Sequence, residues 1–150
     1  MDNTENNSSS VLQLRLLALT DVDNYRFIDP LEGWALVDVC AMAIDPDPKV
    51  RRVAALSDWN WDIRLQRVLA HDPDELVVLN LLSRVDPPLE VVQIILAGPH
   101  RWARRVLAAR NLPTGLLVQL LVDHDSGVQR SAVTTLRRRA ALDLLDVIAR

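Results

Sequence analysis

Four segments of this 150-residue chain begin alike and at nearly equal intervals: Asp45-Pro46-Asp47-Pro48, Asp72-Pro73-Asp74, Gly98-Pro99-His100 and Asp123-His124-Asp125, 25–27 residues apart. After each start comes an apolar stretch, a polar break and a second apolar stretch that runs to the next start. A unit this short cannot enclose a core of its own. It has to bury its apolar face against its neighbours, which is the logic of a solenoid.

Aligning the segments on their opening residue gives the expected core. Five places on stand Val50, Val77, Ala103 and Val128; nine on, Ala54, Leu81, Leu107 and Ala132; ten on, Ala55, Leu82, Ala108 and Val133. An i, i+4 step puts these on one helix face. Leu69, Ile95 and Leu120, each three residues before the next start, belong to a second helix. Asp45, Asp72 and Asp123 read as N-caps, and Pro46, Pro48 and Pro73 as first-turn residues whose missing N–H costs nothing there. Breaks between the two helices fall at Ser57–Asp62, Asp86–Pro88, Asn111–Gly115 and, more loosely, Arg137–Ala140.

The expected fold is therefore all-α: a right-handed α-solenoid of about four helical repeats over residues 45–150. A helical N-terminal cap occupies residues 11–44, with Trp34 in its core, and a disordered polar tail residues 1–10. Aromatic residues make up only 4% of the chain, so aliphatic side chains must fill the core. Residues 1–10 lack the basic start of a secretory signal, and Val11–Leu19 is too short to span a bilayer. Both observations lead us to expect a cytoplasmic protein without a membrane partner.

The run Arg104-Arg105-Val106-Leu107-Ala108-Ala109-Arg110-Asn111-Leu112-Pro113-Thr114, followed by Leu116, Leu120 and Asp123, resembles a unit of the variant leucine-rich repeat family. So does Asp45-Pro46-Asp47-Pro48-Lys49-Val50-Arg51-Arg52-Val53-Ala54. The resemblance spans about residues 45–150 and implies a HEAT-like α-solenoid. Some members carry an N-terminal iron–sulfur cluster on several cysteines. This chain has only Cys40, so that cofactor is not implied, and Cys40 itself reads as a buried, inert thiol in an apolar run.

No residue set points to catalysis, a cofactor or a metal. His71, His100 and His124 all lie at segment junctions, but successive junctions sit roughly a helix spacing of 8–10 Å apart, too far to share one ion. The Asp-x-Asp pairs are explained by helix starts, and the four glycines form no phosphate loop. We therefore expect a non-enzymatic protein.

Charge is segregated. Residues 1–97 carry eight basic and sixteen acidic side chains; residues 98–150 carry nine and four. Arg101, Arg104, Arg105, Arg110, Arg130, Arg137, Arg138 and Arg139 crowd the second part, and Trp102 lies among them. Two readings of these arginines stand side by side: a structural ladder to aspartates of neighbouring segments, or a binding surface. Trp59 and Trp61, two apart in a turn, either seal helix ends or face a partner. The expected function is a scaffold binding a protein partner of acidic character. Its site would comprise Arg101, Trp102, Arg104, Arg105, Arg110, Arg137, Arg138, Arg139, Trp59 and Trp61. Nucleic-acid binding through the basic part is the alternative, opposed by the acidic remainder. The amphipathic stretch Ala140–Arg150, with Asp143 and Asp146 on its outer face and expected to form a last separate helix, is the candidate surface for a homodimer.

Overall fold

The computed structural model describes residues 36–149, and the expected tail, most of the N-terminal cap and Trp34 lie outside them. The described residues form eight α-helices and two short 3₁₀ turns, with no strand among them. The chain divides into two compact units, one ending at Ile94 and the other spanning Ile95–Arg150.

The first unit holds α1 (Leu36–Ala43), α2 (Pro48–Ala54), a 3₁₀ turn at Asp58–Trp61, α3 (Ile63–Ala70), α4 (Glu75–Arg84) and most of α5 (Leu89–Ala97). Helix α1 packs on α2 and α3, and α4 packs on α2 and α3. Val39, Met42, Val50, Leu69, Val77, Leu81 and Val91 are fully buried between them. The second unit holds α6 (Arg101–Ala108), α7 (Thr114–Gln119), a 3₁₀ turn at Leu120–Val122, and the 23-residue α8 (Ser126–Ile148). Both α6 and α7 pack on α8. Its core is built on Ala103, Leu107, Ala108, Leu117, Val128 and Ala132, where small side chains let α6 and α8 approach closely. The hydroxyl of Thr135 donates to the carbonyl of Ala108 at 2.8 Å, which satisfies a buried polar pair across the helices.

The periodic stripe falls where its spacing places it. Every aligned position five, nine and ten residues after a start is buried except Val133, which is half-buried. The helix starts themselves lie two residues later than expected. Asp47, Asp74 and Asp125 are the N-caps, their Oδ1 atoms accepting at 2.8 Å from the N–H groups of Lys49, Leu76 and Gly127. The first aspartate of each pair accepts instead from the N–H of the second: Asp45 from Asp47, Asp72 from Asp74, and Asp123 from Asp125, each at 2.8 Å. Two consecutive Asx turns thus lead into each helix. Pro46 and Pro73 sit within these turns, where their fixed φ is useful, and only Pro48 opens a helix. The third start is capped by the His100 position rather than by Gly98.

Two further expectations are corrected. The break at Arg137–Ala140 does not exist, because α8 runs unbroken through it. The stretch Arg137-Arg138-Arg139-Ala140-Ala141-Leu142 contains only strong helix formers and nothing to end a helix. Cys40 is exposed on α1, since its neighbours Val39 and Met42 take the buried face.

Leu81 and Leu107 are completely buried, one in each unit. Truncating either to Ala is expected to cost ~2–5 kcal/mol, the range for a leucine removed from a packed core. Urea unfolding of the two single variants measures this. Leu107→Asp should abolish cooperative unfolding, because it buries a charge with no partner.

Candidate interaction surface

The arginines of residues 98–150 divide into two groups with different chemistry. Arg104, six places after Gly98, donates from Nε to Asp123 Oδ2 at 2.8 Å and from Nη2 to Oδ1 at 3.2 Å. Its Nη1 reaches back to the carbonyl of Gly98 at 2.9 Å. The pair is enclosed, with side chains 11% and 9% exposed. In the first unit Arg51 makes the same set of contacts: a fork onto Asp72 and a bond from Nη1 to the Asp45 carbonyl at 2.8 Å. Arg52 forks onto Asp74 beside it. Gln129 keeps the backward bond alone, donating to the Asp123 carbonyl at 2.7 Å.

These contacts make Arg51, Arg52 and Arg104 ladder residues, each joining one segment to the start of the next. The pattern is consistent even where it lapses. Val78 and Leu79 replace the arginines in the second segment, and the following start, Gly98-Pro99-His100, has no aspartate to receive them. Arg104 therefore leaves the candidate surface, its guanidinium being spent on the fold. Arg139 is likewise committed: it donates to Thr114 Oγ1 at 3.3 Å, and to Asn111 Oδ1 and the Leu112 carbonyl, pinning the α6–α7 loop to α8. Arg110 is half-buried.

Arg101, Arg105, Arg130, Arg137 and Arg138 are exposed. Trp102, 46% exposed, lies under the first two, whose guanidinium carbons are 5.4 and 5.2 Å from its ring centroid. That contact holds both arginines in place at modest energy. Arg105 occupies the register of Arg52, yet it makes no ion pair among the described residues. It lies instead across Gly127, where a Cβ would come within 3.4 Å of its Cδ. Arg130 donates to the Ser126 carbonyl at 3.2 Å. Arg101, Trp102 and Arg105 thus gather with Arg130 and Arg138 around two adjoining concavities between α6 and α8.

Arg130, named in the basic cluster but not in the expected site, lines the groove together with Ser131 and Thr134. Once α8 is continuous, Arg130, Thr134 and Arg138 fall at i, i+4 and i+8 on one face. Arg137 is exposed and is not among the residues that line that groove. Trp59 and Trp61 belong to the first unit. Their rings lie 5.5 Å apart at 40°, with Trp59 half-buried and Trp61 68% exposed. The stretch expected to pair two copies is the last part of α8, where Leu142, Leu144, Leu145, Val147 and Ile148 are all more than half exposed. The junction histidines have local roles: His71 Nδ1 contacts the Arg67 carbonyl at 2.8 Å, and His100 is buried at its cap.

No family model, curated protein or solved structure matches this chain. Among the described residues no helix is long and apolar enough to cross a membrane.

The ladder has a pH signature. Burial pushes the Asp123 carboxyl up, but the Arg104 hydrogen bond, the Asp125 N–H and the guanidinium charge outweigh it, and the group rests below its ordinary range. Asp74 is lowered in the same way, chiefly by Arg52 against its burial. A carboxyl with a lowered native pKa binds fewer protons folded than unfolded, so its contribution is complete above the unfolded value of about 3.9. It is lost as pH falls through the lower native value. Arg104→Ala is expected to destabilise by ~3 kcal/mol or more, since it strands a buried carboxylate. The stability gap between the native chain and Asp123→Asn should hold steady above pH ~5 and narrow below about pH 4, as followed by denaturant melts at each pH.

Proposed function

We propose that this chain is a non-catalytic helical-repeat scaffold whose basic surface on residues 98–150 binds an acidic protein partner. The observation that carries the reading is the split among the arginines. Arg51, Arg52 and Arg104 meet aspartates of the fold. Arg101, Arg105, Arg130 and Arg138 share a groove whose lining includes a single carboxylate, Asp125. That carboxylate is engaged in capping α8. Exposed arginines flanking an exposed tryptophan are the composition of an interaction hot spot. The recurrent Asp-x-Asp start, with its arginine from the preceding segment, supports a right-handed α-solenoid of the variant leucine-rich repeat kind.

Nucleic acid is the second reading, favoured by Trp102 lying amid cations. It makes a different prediction about salt. Phosphate contacts release counterions, so log K falls by about 0.9 per neutralised phosphate on duplex DNA for each unit of log salt. A protein partner read through a few arginines falls far less steeply.

The proposal is tested by affinity capture of partners with and without nuclease, alongside oligonucleotide titrations over a range of salt. Arg101→Glu/Arg105→Glu is expected to abolish capture and leave the melting temperature nearly unchanged, because neither side chain serves the ladder. Arg104→Glu should instead unfold the second unit. Tight, steeply salt-dependent binding to random duplex at near-physiological salt would replace the protein reading with the nucleic-acid one.

A further inference from the structure

The groove between α6 and α8 has a shape and donor set more specific than a generally basic face. Arg101 and Arg105 stand one turn apart on α6; Arg130 and Arg138 stand two turns apart on α8. Two adjoining cavities lie between them, of about 270 Å³ and 130 Å³, and Arg105, Gly127 and Arg130 line both. The hydroxyl residues Ser131 and Thr134 line the larger, and Ser126 the smaller. Arginines of both helices thus line these cavities, with hydroxyl residues alongside. At Gly127 any side chain would strike Asp125 Oδ1 at 2.8 Å and crowd Arg105.

The geometry points to this groove as a phosphoryl-binding site that takes a phosphorylated serine or threonine on a segment of the partner protein. The inference rests on the protein-binding reading above and narrows it. A carboxylate brings one charge and two oxygens, enough for a single guanidinium fork. A phosphoryl group brings a charge of about −1.5 to −2 and three strong acceptor oxygens, which can engage arginines from both helices at once.

A long polyanion fits less well. The row from Arg130 to Arg138 covers only ~12 Å at the helical rise. Asp125 lies at one end, and beyond Arg139 helix α8 carries no cation up to Ala149. The ring that would have to stack a base, Trp102, is already in contact with two guanidinium groups.

The test uses the full chain and fluorescence anisotropy at near-physiological salt. Its probes are a labelled phosphothreonine peptide of otherwise neutral residues, its unphosphorylated twin, a hexa-aspartate peptide and random single- and double-stranded oligonucleotides. The phosphopeptide is expected to bind at least about tenfold more tightly than its twin, and inorganic phosphate should displace it. Arg105→Gln/Arg130→Gln should remove that preference, and so should Arg138→Gln in part. Arg137→Gln, which loses the same charge outside the groove, should leave binding within about twofold. Circular dichroism melts of each variant separate a lost site from a lost fold.

Equal binding of the phosphopeptide and its twin overturns the inference, as does an equal loss with Arg137→Gln. Hexa-aspartate binding as tightly as the phosphopeptide overturns it too, while leaving the protein-binding reading in place. Oligonucleotides binding more tightly than any peptide overturn both.

Discussion

The bond between an arginine of one segment and the first aspartate of the next organises much of what is described here. It occurs as Arg51–Asp72 in the first unit and Arg104–Asp123 in the second. In each case one guanidinium serves two ends: it forks onto the next start and donates backward to the carbonyl of its own start. The aspartate in turn accepts the N–H that shapes the turn before the next helix. A single ion pair therefore sets the spacing between successive helix starts and the conformation of the turn that leads into one. Enclosed pairs of this kind recover their desolvation cost only when they are well hydrogen-bonded, and here all three guanidinium nitrogens donate.

That economy also marks which arginines are available for function. The first and third segments carry arginines at two adjacent positions, and Arg51, Arg52 and Arg104 meet aspartates of the start that follows. Arg52 is consumed by Asp74. Arg105, in the same register, is turned across Gly127 toward Trp102. Arg130 lies on α8, which continues for another eighteen residues without a turn. Cations that the repeat logic supplies and the fold does not use accumulate in one groove, opposed by one carboxylate already engaged as a cap.

The long α8 shows how a local error propagates into a functional one. A helix break expected at Arg137–Ala140 places Arg130 and Arg138 on unrelated elements. Their convergence is then invisible, although the spacing i, i+4, i+8 is plain in the sequence. The helix-forming strength of the Arg-Arg-Arg-Ala-Ala-Leu run was the available signal. The unbroken helix also leaves Leu142, Leu144, Leu145, Val147 and Ile148 substantially exposed, since nothing after Thr135 on α8 is buried.

The sequence by itself determined the helical class, the positions of the segments and nearly the whole buried stripe, because a 3.6-residue period and a 25–27-residue recurrence are both one-dimensional patterns. Val50, Val77, Ala103 and Val128 could be named from spacing alone, and all are buried. It also supplied the two readings of the arginines without choosing between them. The choice depended on distance and enclosure, which spacing does not encode: Arg104 and Arg105 are neighbours in sequence, yet one is shut against Asp123 and the other lies open beside Trp102. Which aspartate of each pair caps a helix was settled by turn geometry two residues long, below the reach of propensity. The exposure of Cys40 was decided in the same way, by the face of α1 that packing selected. Only the packed helices could show that Arg105 of α6 and Arg130 of α8 line one cavity.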